Sequence, residues 1–315
     1  MKDVILVTGA NGFLGKRLAE ILVERGYMTK KATRGYHADT IAVGNIDGQT
    51  DWQLALNNVD VVVHTAARVH VMREQEAEPL IEFRRVNVDG TLNLARQAAS
   101  AGVKRFIFIS SIKVNGEKTI TGKPFFADDT PLPSDPYGIS KQEAEQGLRL
   151  LSEQTGLEVV IIRPPLVYGP WVKANFRSMM LWLSRGVPLP LGLIKNHRSL
   201  VFIENLIDLI VLCSYHPNAA NQTFLVSDGE DLSTTDLLRR MGRALNAPAR
   251  LFSVPSALII FGARMLGKGD VAERLCESLQ VDISKTKNML GWSPKISVDQ
   301  GLYKTAQDFH NEKTL

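Results

Sequence analysis

The segment Val4-Ile5-Leu6-Val7-Thr8-Gly9-Ala10-Asn11-Gly12-Phe13-Leu14-Gly15 decides the fold of this chain. It joins a short run of β-branched and aliphatic residues, typical of a strand buried on both faces, to three glycines and a helical pattern over residues 13–24. Glycines spaced G-x-x-G-x-x-G permit a tight turn and let backbone amides approach a diphosphate at the helix N-terminus. Because a strand and a helix flank the motif, we interpret it as a dinucleotide-binding turn and not as a plain loop.

The first half of the chain alternates between strand-like and helix-like patterns. β-Branched and aliphatic runs predict further strands at residues 28–33, 59–64, 106–110 and 159–163. Apolar residues at helical spacing predict intervening helices, among them residues 91–101 and 140–154. This alternating order predicts an α/β fold with a Rossmann-type doubly wound parallel sheet.

The pattern changes after Pro164-Pro165, where loops and scattered helices replace the alternation. We therefore expect residues 1–165, with return segments from the second half, to form an NAD(P)-binding domain. Residues 166–315 are expected to form mainly a smaller mixed lobe that binds the substrate.

The composition excludes several classes of protein. The 315 residues are 44% hydrophobic, which is enough to bury a core and excludes a mainly disordered chain. The net charge of +4 is small and no basic block occurs, so we expect no nucleic-acid partner. Two cysteines, Cys213 and Cys276, argue against a disulfide scaffold, and no metal-ligand spacing occurs, so no bound metal is predicted. No apolar run is long enough for a membrane span, and we expect a cytoplasmic protein.

The end of the second predicted strand bears on the form of the cofactor. An acidic residue there binds the hydroxyls of an adenosine ribose, whereas an arginine accepts a 2′-phosphate. The segment Thr29-Lys30-Lys31-Ala32-Thr33-Arg34 contains no acidic residue. Arg34 therefore favours NADP(H), while NAD stays open. A solvated basic loop is the alternative interpretation of this segment.

A phenol and an amine lie four residues apart in Tyr137-Gly138-Ile139-Ser140-Lys141, on one face of a predicted helix. An ammonium group close to a phenol lowers the pKa of the phenol, so Tyr137 is expected to be acidic enough to exchange a proton with a substrate hydroxyl. Ser111 ends a predicted strand, at the sheet edge where ligands bind in such folds, and can hold the reacting oxygen. An ordinary helix face is the alternative interpretation, and the position of Ser111 argues against it.

Seven motifs follow one another along the chain. The first is Thr8-Gly9-Ala10-Asn11-Gly12-Phe13-Leu14-Gly15, and the others lie at residues 64–67, 87–91, 110–111, 136–141, 163–170 and 282–285. In this order they resemble an extended short-chain dehydrogenase/reductase of the NAD-dependent epimerase/dehydratase family. They are most similar to its UDP-glucose 4-epimerase-like members, which act on nucleotide sugars.

The resemblance implies a role for each matching residue. Ser111, Tyr137 and Lys141 match the catalytic residues. Besides Tyr137 and Lys141, the cofactor would contact Gly9, Asn11, Gly12, Phe13, Leu14, Gly15, Arg34, Asn45, Ile46, Ala66, Ala67, Pro164 and Val167. The UDP-sugar substrate would contact Ser111, Asn175, Phe176, Arg198 and Arg274, with both arginines on its diphosphate. An exposed loop arginine is the alternative interpretation of Arg198, and the sequence beside Arg274 departs from the family's pattern.

Three functions agree with these motifs. The resemblance favours a UDP-sugar 4-epimerase, which moves a hydride at carbon 4 of a UDP-hexose or UDP-N-acetylhexosamine. Arg34 favours the alternative, an NAD(P)H-dependent 4-ketoreductase of a UDP-2-acetamido-4-keto-6-deoxy sugar. A non-catalytic nucleotide-binding scaffold would be expected to lack Tyr137 or Lys141, and both are present. Ile112-Lys113 stands where the family's 4,6-dehydratases carry an acid–base pair, which argues against dehydration.

Members of this family often dimerise through two helices from each subunit. Residues 91–101 and 140–154 would form such a four-helix bundle in a homodimer. An apolar helix face serves equally to cover the sheet, so the sequence leaves both alternatives open.

Overall fold

The computed structural model describes residues 3–69 and 78–314. Numbered along the chain, its strands are β1 (Val4–Thr8), β2 (Met28–Thr33), β3 (Ile41–Ala42), β4 (Val61–His64), β5 (Arg105–Ile109), β6 (Glu158–Arg163), β7 (Leu166–Tyr168), β8 (Arg198–Phe202), β9 (Thr223–Leu225) and β10 (Asp231–Leu232). A large sheet has the order β3-β2-β1-β4-β5-β6-β9, with every neighbouring pair parallel. A small mixed sheet has the order β10-β8-β7.

Helices cover both faces of the large sheet. They are α1 (Phe13–Glu24), α2 (Gln53–Leu56), α3 (Pro79–Arg84), α4 (Thr91–Ser100), α5 (Pro136–Thr155), α6 (Ala174–Ser184), α7 (Ile203–Tyr215), α8 (Thr234–Ala244), α9 (Ser256–Met265), α10 (Gly269–Cys276), α11 (Ser284–Leu290) and α12 (Val298–Thr314). Ile5 and Val7 pack with α1 and α7 on one face, and Leu6 packs with α4 and α5 on the other. This alternation along β1 places apolar side chains in both cores, as strands buried on both faces require.

The strand order reverses at β1, which lies between β2 and β4. Thr8 at the end of β1 is in register with Ala32 on β2 and His64 on β4. The connections that leave these strands therefore start side by side at the carboxyl edge of the sheet, where doubly wound folds bind their ligands. The prediction of a Rossmann-type parallel sheet with a smaller mixed lobe is confirmed.

The helix predicted over residues 140–154 was placed too late, because α5 begins at Pro136. Asp135 precedes it, and its Oδ1 accepts a hydrogen bond of 2.6 Å from the Gly138 amide. Proline in the first turn needs no amide donor, so the Asp135-Pro136 pair defines the start of the helix. Gly156 ends it with a φ of 78°. Tyr137 therefore lies in the first turn of α5.

Segments from the second half return to the large sheet. The helix α7 packs beside α1, and β9 pairs with β6 at the sheet edge. Strand β7 follows β6 after two residues and pairs with β8 in the small sheet. Strand β8, with Arg198 at its start, therefore lies next to the large sheet. Among the helices of residues 3–69 and 78–314, none has both the length and the apolarity of a membrane span.

A buried ion pair ties α5 to the sheet. Arg163 on β6 donates from Nη2 and Nε to Glu145 at 2.5 and 2.9 Å, and the Ser110 hydroxyl donates to the same carboxylate at 2.6 Å. Both charged side chains are almost fully buried. The pair sits one helical turn beyond Lys141, so it fixes the helix that carries Tyr137 and Lys141.

We predict that Glu145→Gln lowers the free energy of unfolding by roughly 3–5 kcal/mol, because the Arg163 guanidinium stays buried without its counter-charge. Urea unfolding measures this change. Glu143→Gln is the matched control, since it breaks the more exposed pair with Arg84 and should cost at most about 1 kcal/mol. Equal losses in both variants would contradict the interpretation.

Candidate active site

A cleft of about 790 Å³ opens at the carboxyl ends of β1, β2 and β4. Eight of the predicted cofactor residues line it, namely Gly9, Asn11, Gly12, Arg34, Asn45, Ile46, Ala66 and Ala67. The other predicted cofactor residues belong to α1, α5 and the β6–β7 segment, and they are Phe13, Leu14, Gly15, Tyr137, Lys141, Pro164 and Val167. The cleft thus brings together eight of the predicted residues, and the positions of the other seven as cofactor contacts stay predictions.

The turn after β1 has room only for glycine at two positions. Gly9 has a φ of 66°, and a Cβ on it would lie 2.9 Å from the backbone of Ala66. A Cβ on Gly15 would lie 2.2 Å from the carbonyl oxygen of Gly9. These contacts hold the turn against both the start of α1 and the end of β4.

This turn fits the diphosphate of a dinucleotide. The described first turn of α1 contains no acidic residue, and Gly12 offers it no side-chain cap. Its free amides and the positive end of the helix dipole are therefore available to an anion. The NAD(P) site predicted from the glycine spacing agrees with this geometry.

A second groove, of about 860 Å³, lies between α2 and α4. Its described lining consists of amide and aliphatic groups with one hydroxyl, that of Ser100, and one carboxylate, that of Asp51. It brings together no set of groups suited to acid–base chemistry, so we assign the chemistry to the cleft beside Gly9.

Ser111, Tyr137 and Lys141 meet where β5 and α5 approach each other. The Ser111 hydroxyl is close enough to the Tyr137 phenol to lower the pKa of that phenol. The Tyr137 ring packs edge-on against Phe83 at 6.0 Å between ring centroids. The Lys141 Nζ lies 4.0 Å from the centre of the Phe108 ring, and its side chain is only 1% exposed. Ser111 and Tyr137 are therefore half-buried neighbours, and Lys141 lies buried one turn further along α5, an arrangement that suits proton exchange.

The expected acidity of Tyr137 is wrong for this protein as described. Burial raises the pKa of the Tyr137 phenol to about 12, with a further increase from the negative charge of Asp135 and a decrease from the Ser111 hydrogen bond. Burial also lowers the pKa of Lys141 to about 7, although Glu145 opposes this change. Loss of water is the largest cause of both pKa changes, and it acts against the lowering of the Tyr137 pKa that the Tyr-x-x-x-Lys spacing predicts.

The Asn87 side chain supports the start of α5 through hydrogen bonds. It lies in a π-helical turn, Arg85–Gly90, between α3 and α4. Its Nδ2 donates to Ser140 Oγ at 3.0 Å, and its Oδ1 accepts from the backbone amide of Arg68 at 2.8 Å. It thereby joins the segment after β4 to the first turns of α5.

Two arginines, Arg198 and Arg274, lie close together where β8 meets α10. Arg198 on β8 donates from Nη1 to the backbone carbonyls of Arg274 and Glu277 at 2.7 and 3.1 Å. Burial lowers the pKa of Arg198, and the positive charge of Arg274 lowers it further, against the effect of Glu277. Two cations held close together suit a doubly charged ligand such as a diphosphate.

The structure separates the two residues predicted at the start of α6. Asn175 is exposed, whereas the Phe176 ring is 1% exposed and stacks on Tyr168 at 5.4 Å between ring centroids. Tyr168 in turn donates to Asp228 at 2.8 Å. The Phe176 side chain therefore belongs to the core, where it anchors α6 and positions Asn175, and the prediction that it contacts substrate is corrected on this point.

The sequence analysis missed Asp135, which caps α5 and forms an ion pair with Lys113 beside the catalytic cluster. The Asp-Pro pair before a helical pattern is the signal that could have identified it. It also missed Thr65 and Arg85, which line the cleft. They come from a strand end and a π-helical turn, and the sequence pattern singled out neither.

Comparison with known proteins agrees with this geometry. The model of the NAD-dependent epimerase/dehydratase family matches residues 5–227. A UDP-glucose 4-epimerase of Vibrio cholerae is 51% identical over 317 residues, which cover 98% of this chain and 96% of that protein. This chain belongs to the NAD-dependent epimerase/dehydratase family.

More distant members of the family align over the same length. An N-acetyl-α-D-glucosaminyl-diphospho-ditrans,octacis-undecaprenol 4-epimerase of Escherichia coli O157:H7 is 26% identical over 98% of this chain and 95% of that protein. The crystal structure of a UDP-glucuronic acid 4-epimerase from Bacillus cereus in complex with NAD has a TM-score of 0.80 at 22% identity, over 98% of this chain and 96% of that one. The predictions of family and fold are confirmed.

This chain departs from the usual pattern of the epimerase/dehydratase family around its cleft. Asn45 stands where the family usually has an aspartate, and Arg34 stands where many members carry an acid. Lys113 replaces a small residue and forms ion pairs with Asp135 and Glu117. Arg34 and Asn45 both line the cleft, so its wall carries no negative charge at these two positions.

We predict that Lys113→Met lowers turnover at neutral pH roughly tenfold, because the unneutralised charge of Asp135 raises the pKa of Tyr137 further. The pH–rate profile measures this, and its rising limb should move to higher pH. Lys113→Arg should restore the profile.

Lys104→Met is the matched control for this prediction. It breaks an exposed pair with Asp60 at the opposite end of β5 and should leave the profile unchanged. If the Lys113→Met profile coincides with the wild-type profile, the Lys113–Asp135 ion pair does not affect the pKa of Tyr137.

Proposed function

We propose that this protein is an NAD(P)-dependent UDP-sugar 4-epimerase, which inverts carbon 4 of a UDP-hexose or UDP-N-acetylhexosamine. One observation carries the proposal: Asn87 joins Arg68, on the wall of a crevice that fits a dinucleotide, to α5, the helix that carries Tyr137 and Lys141. The similarity to the Vibrio cholerae UDP-glucose 4-epimerase supports it.

Tyr137 is assigned as the group that removes and returns the proton of the carbon 4 hydroxyl. NAD(P)⁺ bound in the cleft supplies the hydride acceptor and a positive ring that favours the phenolate. Ser111 lies close to the phenol and can hold the same hydroxyl oxygen. Lys141 is fixed one helical turn away by burial and by the Phe108 ring, where its charge stabilises the phenolate that forms.

Arg198 and Arg274 are assigned to the diphosphate of the substrate. Substrate phosphates would bind the exposed Arg274 guanidinium and the free donors of Arg198, and their charge would offset the repulsion between the two. Asn175, exposed at the start of α6, is assigned as a further contact to these phosphates. This anchoring leaves the sugar able to present either face of carbon 4.

A second candidate function is the NAD(P)H-dependent reduction of a UDP-2-acetamido-4-keto-6-deoxy sugar. The observation that favours it is the exposed Arg34 on the wall of the cleft, which suits the 2′-phosphate of an exchangeable NADP(H). The two functions use the same proton donor and differ in the fate of the hydride. Turnover of UDP-N-acetylglucosamine without added cofactor would support the epimerase, whereas turnover only of the 4-keto sugar with NADPH would replace it with the reductase.

We predict that Tyr137→Phe lowers kcat at least about 100-fold, because the variant cannot carry the proton of the carbon 4 hydroxyl. Epimerisation is followed by NMR of the sugar products. Tyr303→Phe is the control, since it removes an exposed phenol on α12 and should turn over normally. Unchanged turnover by Tyr137→Phe would remove Tyr137 from the mechanism.

We predict that Arg34→Ala weakens NADPH binding roughly tenfold or more and leaves NADH binding within about twofold, because only NADPH carries the 2′-phosphate. Calorimetric titration of both dinucleotides measures the difference. Arg96→Ala on the exposed surface of α4 is the control and should change neither affinity. An equal loss of affinity for NADPH and NADH would show that Arg34 does not bind the 2′-phosphate.

We further propose the assembly and setting of the enzyme. The helices α4 and α5 lie side by side, with Gly147 against Leu92, and Leu150 on α5 is exposed, which supports a homodimer through a four-helix bundle. The free cysteines Cys213 and Cys276 support a cytoplasmic location. Residues 1–165, together with α7 and β9, are assigned to the NAD(P)-binding domain and the remainder of 166–315 to the nucleotide-sugar-binding lobe.

A further inference from the structure

The carboxylate of Glu145 is fully buried between α5 and the large sheet. It accepts hydrogen bonds from Arg163 Nη2 and Nε at 2.5 and 2.9 Å and from Ser110 Oγ at 2.6 Å. Arg149 Nη2 lies further away, at 3.4 Å. These donors are more than an ion pair with Arg163 requires. Glu145 therefore connects groups from the end of β5, from β6 and from α5.

One of these connections leads to Ser111. Ser110 directly precedes Ser111 in the chain, and its hydroxyl joins the end of β5 to α5 through the bond to Glu145. Ser111 follows a strand of the sheet, whereas Tyr137 and Lys141 lie on α5. Their relative placement therefore depends on how the sheet and the helix are fixed to each other. Glu145 fixes them directly beside Ser111.

Three cations surround the Glu145 carboxylate. Arg163 and Lys141 are each only 1% exposed, and Arg149 is half exposed. Lys141 lies one turn before Glu145 on the same face of α5. The charge of Glu145 raises the pKa of Lys141, against the lowering by burial. The buried part of this cluster therefore holds two positive groups and one negative group.

Other titratable groups around this part of α5 do not replace the charge of Glu145. His64 on β4 is neutral, because burial lowers its pKa to about 3 and the charge of Lys141 lowers it further. Within the described chain, Glu145 is the acid whose charge acts on the pKa of Lys141. Two further acids at this helix are held by other cations, Asp135 by Lys113 and Glu143 by Arg84.

The two buried cations respond differently to the loss of a counter-charge. An arginine stays protonated in proteins, whereas a buried lysine readily gives up its proton. Without the charge of Glu145, Arg163 would stay positive and Lys141 would become neutral. A neutral Lys141 cannot stabilise the phenolate of Tyr137. The charge that the proton exchange needs therefore depends on Glu145.

We propose that Glu145 is a positioning residue for the reaction, which keeps Lys141 an ammonium group and, through Ser110, holds Ser111 in place against α5. Arg163 is the counter-ion that allows a carboxylate to be buried there. The effect on turnover rests on the proposed function, whereas the effect on the charge of Lys141 does not.

The charge of Lys141 is tested by NMR titration of full-length protein whose lysines carry ¹³C at Cε, with the Lys141 signal assigned from Lys141→Met. Glu145→Gln should move the titration midpoint of Lys141 to lower pH, because loss of the negative charge favours the neutral amine. Glu143→Gln removes a more exposed acid of the same helix and should leave the midpoint unchanged. A midpoint that does not move in Glu145→Gln overturns the proposal.

The connection to Ser111 is tested with Ser110→Ala. This variant keeps both charges of the ion pair, so it also serves if Glu145→Gln does not fold. Its kcat for UDP-N-acetylglucosamine should fall roughly fivefold at unchanged KM, because Ser111 is no longer held against the helix of Tyr137.

Asn115→Ala is the matched control for Ser110→Ala. It removes a hydrogen bond of 2.9 Å from the same Arg163 guanidinium and should keep kcat within about twofold. Equal losses of kcat in the two variants would reduce the Glu145 network to a structural role. Wild type that turns over no UDP-sugar, while the Lys141 midpoint still moves in Glu145→Gln, contradicts the proposed function and leaves the effect of Glu145 on Lys141 in place.

Discussion

The close approach of Gly9 to Ala66 and of Gly15 to Gly9 is the constraint on which the site depends. Because no side chain fits at either position, the backbone after β1 lies directly against the backbone after β4 and opens the first turn of α1 to the cleft. A crevice at the point where the strand order reverses is the general ligand site of doubly wound sheets. Arg34, Asn45 and the alanines after β4 then line a crevice that this turn has already shaped.

The second determinant is burial on α5. The carboxylate of Glu145 and the guanidinium of Arg163 fix this helix to the sheet, and Asp135 fixes its first turn. Lys141 and Tyr137 are thereby held where water is largely excluded. These surroundings favour the neutral amine of Lys141 and the neutral phenol of Tyr137. A site of this kind is electrostatically sensitive, so a positive ring or an anionic group placed in it changes the protonation of Tyr137 more than it would in water.

The sequence predicted the parallel sheet, the glycine turn and the clustering of Ser111 with Tyr137 and Lys141, because each depends on short-range patterns. Strand periodicity and glycine spacing are local, and the order of parallel strands brings their carboxyl ends together. The start of α5 was misplaced because the spacing of apolar residues does not mark the first turn of this helix. The Asp135-Pro136 cap marks it. The pKa of Tyr137 and the core position of Phe176 depend on three-dimensional burial, which no spacing in the sequence expresses.

The most direct test of the account is the fate of hydrogen at carbon 4. Wild-type protein with bound dinucleotide is given a UDP-hexose that carries deuterium at carbon 4, and the epimerised product is analysed by NMR and mass spectrometry. The account predicts that the deuterium returns to carbon 4 of the inverted sugar without exchange with water. Inverted sugar that has lost its deuterium to solvent, or that has gained solvent hydrogen at a neighbouring carbon, would contradict it.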